Sequence, residues 1–333
     1  MIQNQSSKRI AAIVIAVAVI CIVIAVLFVT IINPMIKYNR AVSLMSEGEF
    51  EKAIAAFEAI DSYKDSNEKI TECKYELAVA MIDKGNFVNA YNYLVALKGY
   101  KDSAEMASYA YLQIELAGLR TAIVGDIVNF GSYWKGSSEA EGKTPIEWIV
   151  LDKEGDKLLL ISKYGLDFQQ YDPNTEGGPV TWAGCFLRGW LNATFMSIAF
   201  SEEEQERIVT STINNPDNPQ FEDAEGGPDT TDKLFLLSFE EARKYFSTND
   251  ARKCMPTVYA DEKGKELSEW YKAGEPVDWW LRSPGFYYRF EHDSACAGYV
   301  SGFDGEVVGD ERWYIGCNVD ESLTVRPAMW INP

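Results

Sequence analysis

A single histidine, His292, stands in a chain of 333 residues, and that scarcity removes several chemistries at once. Catalytic zinc built on two or three imidazoles is excluded, and a serine–histidine triad would depend on this one residue. In a turn with Arg, Glu and Asp, it reads as a surface residue. No nucleophile elbow is present either: the residue two before Ser301 is Tyr299, where the G-x-S-x-G pattern needs glycine. The nearest approach to a phosphate loop, GSSEAEGKT at residues 136–144, has Gly136 six residues before Gly142 rather than five. It also links two expected strands instead of opening a helix. Basic residues are outnumbered, 31 Lys and Arg against 50 Asp and Glu, for a net charge of -19. Without a basic stripe to displace counterions, nucleic acid is excluded as a partner.

Charge is absent altogether from residues 10–32, IAAIVIAVAVICIVIAVLFVTII, which begin at Ile10 and end at Ile32 with Thr30 the only polar interruption. As a helix this stretch would reach about 34 Å, enough to cross a hydrocarbon core of about 30 Å. A cleaved signal would need a shorter apolar core. Ala16-Val17-Ala18 has the small-x-small pattern, but the apolar run continues past it. Cys21 follows the bulky Ile20 mid-span and reads as a membrane-buried thiol. Lys8 and Arg9 precede the span, so the positive-inside rule places residues 1–9 in the cytoplasm and residues 33–333 outside, as a single-pass cell-membrane protein. Asn33-Pro34 is expected to break the helix.

Beyond the span lie 50 acids and 29 bases, an excess that serves solubility. All nine Trp fall beyond residue 120, so two regions of different character are expected, 33–118 and 119–333. Cys185, Cys254, Cys296 and Cys317 could close two disulfides in any of three pairings, or remain buried thiols. A domain of this size needs no staple.

Residues 33–118 contain an internal repeat. A shift of 37 residues superposes Tyr38 on Tyr75, Ala41 on Ala78, Gly48 on Gly85, Phe50 on Phe87, Ala53 on Ala90, and Tyr63-Lys64-Asp65-Ser66 on Tyr100-Lys101-Asp102-Ser103. Such a period marks helical-hairpin arrays. Ile70, Cys73, Leu77 and Met81 form one apolar stripe. Asp65 with Glu68, and Asp102 with Glu105, are placed as helix N-caps, and Gly48 and Gly85 as left-handed helix ends. The segment resembles tetratricopeptide-like repeats, which implies a peptide groove; with only two copies it is read as a spacer or dimerisation stalk.

Past Gly118 the pattern changes. Strands are expected over 127–134, 146–151 and 157–162, and helix starts at the S-x-x-E boxes Ser201/Glu204 and Ser238/Glu241. Thr181-Trp182 opens a segment with Phe186, Trp190 and Leu191 at helical spacing. Residues 214–232, NNPDNPQFEDAEGGPDTTD, form a long loop of the kind that is functional or mobile. The ordered set GDIVNFGSY, PIEWIVLD, LLLIS, TW, LRGWLN, AFSEEE, TDKLFLLS, WWLRSPG and VRPA resembles the bacterial domain-of-unknown-function 6273 family over residues 124–333. The resemblance implies a strand-rich α+β domain without an assigned activity. Its layout and terminal Val325-Arg326-Pro327 are distantly similar to C-type-lectin-like folds, among them the formylglycine-generating enzymes. Those oxidases use a close cysteine pair, whereas Cys296 and Cys317 are 21 residues apart in sequence.

Candidate ligand-binding residues are Trp279, Trp280, Arg282 and Arg326, where a guanidinium beside an aromatic pair could read a carboxylate or sugar. The competing expectation is that Arg188, Arg282 and Arg326 are buried and bonded to carboxylates or carbonyls that hold the core in register. No cofactor motif is present. Calcium could find part of its six to eight oxygen ligands in Asp217, Glu222, Asp223, Asp229 and Asp232, although no EF-hand spacing occurs and a solvated acidic loop is the preferred reading. The lectin-type Glu-Pro-Asn triplet is also missing, with Glu275-Pro276-Val277-Asp278 a partial echo. The expectation is thus an anchored, extracytoplasmic binding protein whose α+β domain meets a cell-wall glycan or surface protein from a helical stalk. Its alternative is an extracytoplasmic enzyme acting through Cys296 or Cys317.

Overall fold

A computed structural model describes residues 2–60, 63–134, 136–174, 179–267, 271–285, 295–310 and 316–333. The chain divides into two compact units, Met1–Ile114 and Glu115–Pro333. The first is helical: α1 (Ile2–Leu27), a π turn (Phe28–Ile32), α2 (Asn33–Ser46), α3 (Phe50–Glu58), α4 (Ser66–Asp83), α5 (Phe87–Ala96) and α6 (Ser103–Thr121), the boundary between units falling within α6. One N-terminal helix is long and apolar enough to cross a membrane. Contrary to expectation, Asn33-Pro34 does not end it. The wide π turn carries the helix from α1 into α2, with Pro34 at the first positions of α2. A proline ring inside a helix meets the carbonyl four residues back, and a π turn is the kind of local widening that relieves this.

In α2 to α5 the same local chemistry occurs twice. The Tyr38 hydroxyl donates to Asp65 at 2.5 Å and Tyr75 to Asp102 at 2.6 Å. Lys64 lies 4.5 Å from the centre of the Tyr38 ring, and Lys101 lies 4.2 Å from that of Tyr75. Tyr38–Tyr63 and Tyr75–Tyr100 are both edge-on pairs at 5.9 Å. Gly48 and Gly85 are left-handed, φ +77° and +72°, as their helix ends require. The aspartates act differently from expectation. Asp65 occupies the N-cap position of α4 with no side-chain cap bond, because its carboxylate is committed to Tyr38. Ala41, Ala53, Phe57, Cys73 and Leu77 fill one core, and Ala78, Ala90, Leu94 and Ala107 the next.

The second unit is sheet-rich. Its elements are β1 (Ile127–Trp134), β2 (Lys143–Glu154), β3 (Lys157–Ser162), β4 (Asp167–Gln170), α7 (Phe186–Trp190), α8 (Met196–Ala199), α9 (Glu202–Arg207), β5 (Ser211–Ile213), β6 (Thr230–Asp232), α10 (Phe239–Tyr245), α11 (Asn249–Arg252), α12 (Val258–Leu267), β7 (Trp279–Pro284), β8 (Cys296–Val300), β9 (Val307–Val308), β10 (Cys317–Asn318), β11 (Ser322–Val325) and β12 (Ala328–Ile331). One sheet has the order β1-β2-β3-β12, a second β10-β8-β7-β11-β4 with β9 on β8, and β5-β6 form a ribbon. Arg326-Pro327 carries the chain from β11 in the second sheet to β12 in the first. Both serine capping boxes are formed, at Ser201/Glu204 and Ser238/Glu241. The α7 helix starts later than Thr181-Trp182, on Cys185, whose sulfur accepts from the Arg188 amide.

Candidate functional site

Strand β7 is buried at all six positions and lies between β8 and β11. Adjacent residues of a strand point to opposite faces, so Trp279 and Trp280 are both enclosed only because both faces of this strand are covered. Each is 0% exposed. Their indole N–H groups are spent on the carbonyls of Arg252 at 3.0 Å and Gln169 at 2.8 Å. No ring face is left for a ligand, which corrects the expectation of an aromatic platform here.

The arginines are bonded within the core as well, although the buried Nε of Arg282 has no hydrogen-bond partner among the described residues. Arg282 is paired with Glu241 and donates to the carbonyls of Leu236 and Asn214 at 2.7 and 3.0 Å. Arg326, 1% exposed, donates to the Ser162 carbonyl at 2.9 Å. Its guanidinium lies 5.0 Å from the Phe246 ring centre and 4.9 Å from that of Trp279. The bond to a carbonyl is one of the two partners expected for a buried arginine, and the two ring faces add to it. Arg188 donates to Asp232 at 2.7 Å.

The five acids proposed for calcium do not converge. Asp232 is taken by Arg188, by the Trp182 indole at 3.0 Å and by Thr230 at 2.7 Å. Asp217 accepts the Gly226 amide and Asp229 the Asn215 amide, while Asn218 fastens the loop to the carbonyls of Pro284 and Gly309. Among the described residues no group of three potential ligands is close enough to hold a metal. The long loop is thus tied down by its own side chains.

No disulfide is closed among the described residues. β10 pairs with β8 so that Cys317 faces Ala297 and Asn318 faces Cys296, which sends the two cysteines to opposite faces of the sheet. Burial pushes the thiols up, Cys185 to about 12 and Cys296 to about 11, with Cys254 and Cys317 raised by the same cause. A nucleophilic cysteine needs the opposite shift. His292 lies outside the described residues.

Among the open concave features are two clefts whose walls carry aromatic side chains, and a third at Arg120, Lys153, Asp156 and Pro333 that carries none. The first is a cleft of about 320 Å³. β1 contributes Tyr133 and Trp134, β2 contributes Thr144, Pro145 and Glu147, and Tyr164 and Thr257 complete the wall. Trp134, Tyr164, Glu147 and Thr257 are half-buried, each presenting part of its surface. Lys143 lies 5.3 Å from the Trp134 ring centre and Lys163 4.9 Å from that of Tyr164, and Lys163 pairs with Glu147 at 3.0 Å.

Behind this wall the Tyr133 hydroxyl donates to Asp167 at 2.6 Å. The same carboxylate accepts the Phe168 amide at 2.7 Å and Lys263 from α12 at 3.0 Å. Asp167 is 1% exposed, and burial pushes its pKa up against the pull of Lys263 and Tyr133. Burial also draws Lys263 down, but the carboxylate outweighs it and the net shift is upward. With four donors on the carboxylate, Gln169 being the fourth at 3.4 Å, the ionised pair is the state the geometry supports. Tyr133 is thereby locked against β4 and α12, fixing the floor of the cleft.

Sequence reasoning missed this site because Trp134 and Tyr164 lie 30 positions apart. Only the β2–β3 pairing and the turn after β3 bring their surroundings together. No curated protein and no solved structure matches the chain. A family description named Domain of unknown function (DUF6273) matches residues 155–333, a narrower span than the motif set covered. That match takes in more than half of the chain, from just before β3 through β12, and so the chain belongs to the DUF6273 family.

Proposed function

We propose that this is a membrane-anchored binding protein whose C-terminal domain holds a cell-wall glycan in the cleft bounded by Trp134 and Tyr164. The observation carrying the reading is the pair of half-exposed aromatic rings with Glu147, Thr144 and Thr257 between them. Apolar ring faces pack on the C–H faces of a sugar, while a few placed polar groups take its hydroxyls; this mixture is typical of ligand clefts. Lys8 and Arg9 before the apolar helix favour a cytoplasmic N-terminus with both folded units outside. The helical hairpins are read as tetratricopeptide-like repeats serving as the stalk, supported by the doubled Tyr–Asp and Lys–Tyr contacts. A C-type-lectin-like ancestry for the domain rests on its strand-rich layout and the terminal Val325-Arg326-Pro327 segment. The enzymatic alternative has less support, since burial holds its cysteines in the thiol form.

The test is co-sedimentation of the detergent-solubilised full chain with isolated cell-wall glycan, comparing wild type with Trp134→Ala, Tyr164→Ala and the double variant. Saturable binding, weakened at least tenfold in a double variant that keeps its melting temperature, is the expected result. Equal binding by all four proteins would remove the cleft from the account. No binding by the wild type would sink the glycan reading.

A further inference from the structure

The second aromatic-walled cleft, of about 300 Å³, differs in chemistry from the first. Its walls include Phe168 from β4, Tyr271, and Phe303 from the turn between β8 and β9, with Asp278 at the start of β7. Phe168 and Tyr271 meet edge to face at 5.4 Å and 84°. Phe303 is 88% exposed, although its loop is held on both sides. Gly302 donates its amide to Asp278 at 2.7 Å, and the Gly305 carbonyl accepts from Arg252 at 2.8 Å. A phenyl ring held in water adds nothing to the core and is free to meet a ligand.

The half-buried Asp278 carboxylate has one oxygen on the Gly302 amide, and among the described residues no cation is paired with it. Lys272, the nearest wall cation by position, is aimed at Glu275 at 3.9 Å. The Tyr271 hydroxyl is turned away to Asp261. The cleft thus presents the half-buried Asp278 carboxylate and three aromatic rings, with Ser322 and the exposed Lys272–Glu275 pair also in its wall. A carboxylate oxygen with ring faces around it is complementary to an alkylated cation, which meets the charge and the rings together, whereas an anion would be repelled.

We propose that this cleft binds an organic ammonium group, Asp278 supplying the counter-charge and Phe168, Tyr271 and Phe303 the aromatic walls. The site is separate from the glycan cleft and does not rest on that reading.

The full chain in detergent micelles is titrated calorimetrically with choline, with n-butylammonium, and with 3,3-dimethylbutan-1-ol, the neutral isostere of choline. At least one of the two cations should saturate in the millimolar range, with the neutral isostere at least tenfold weaker. Asp278→Asn, whose amide oxygen can still accept from Gly302, should weaken the cation at least tenfold with the melting temperature unchanged. Phe303→Ala removes a ring that contributes nothing to the core, and should weaken it severalfold without affecting folding. Saturation by the neutral isostere at equal affinity, undiminished binding to Asp278→Asn or Phe303→Ala, or no saturation by either cation would each overturn the assignment.

Discussion

Replacing Tyr133 by Phe removes one hydroxyl and nothing else, so it isolates what Asp167 gains from its donors. The lost bond is short, 2.6 Å, and reaches a carboxylate that is 1% exposed. Hydrogen bonds to charged groups contribute about 1.5–3 kcal/mol, and no cavity is created to add to that. Lys263→Met instead removes the counter-charge and leaves the buried carboxylate to neutral donors alone. Breaking a buried pair costs about 3–5 kcal/mol, and with the Lys263 side chain 32% exposed the lower end applies. Because both changes act on one carboxylate, the double variant should deviate from additivity by about 0.5–3 kcal/mol. Urea unfolding followed by tryptophan fluorescence is the assay, since all nine Trp lie beyond residue 120 and the signal reports the C-terminal unit alone. The slope against urea should be unchanged. A Tyr133→Phe loss below about 0.5 kcal/mol, or strict additivity, would refute a shared carboxylate as the hub of β1, β4 and α12.

Thiol chemistry gives a second expectation. With Cys73 and Cys296 pushed up to about 11 and Cys185 to about 12 by burial, native protein should alkylate slowly at these residues at pH 8, and rapidly once unfolded. A folded-state pKa above the ordinary 9.0 means that this contribution to stability is complete below that value. It is lost as pH rises toward 11–12, which a melting series from pH 8 to 11 would reveal. Gly302→Ala would place its Cβ 2.4 Å from the Pro276 carbonyl oxygen and 2.6 Å from the Val277 carbonyl carbon. Backbone must shift, so a loss of about 1–3 kcal/mol and weakened cation binding are expected by the same urea and titration measurements. Tyr38→Phe and Tyr75→Phe remove equivalent bonds to Asp65 and Asp102, and should each lower helical-unit stability by a similar amount, about 0.5–1.5 kcal/mol by circular dichroism. Chelation of calcium should leave glycan binding unchanged, because Asp217, Asp229 and Asp232 are committed to protein donors and no group of three potential ligands converges among the described residues.

What could be read from sequence was what local pattern encodes. Strands β1 and β3 fall on 127–134 and 157–162 as expected, because their apolar residues and flanking turns are local signals. The two serine boxes and the glycine helix ends follow from spacings of three residues or a single φ. Pro34 misled because the π turn that admits it has no sequence marker. Asp65 misled because its partner, Tyr38, lies 27 residues away. The aromatic pair Trp279-Trp280 was conspicuous in sequence, but a strand's place in the middle of a sheet is decided by its partners, here β8 and β11, and that place buried both rings. For the same reason the quieter Trp134 and Tyr164, on the rim of β1 and in the turn after β3, were left at the surface.

Hydrogen–deuterium exchange on the full chain, with and without solubilised cell-wall glycan, tests the central claim most directly. The account predicts slowed exchange in residues 143–147, 163–166 and 256–258, the backbone that frames Trp134 and Tyr164, with β7 unchanged. Protection confined to other segments, or none at saturating glycan, would contradict it.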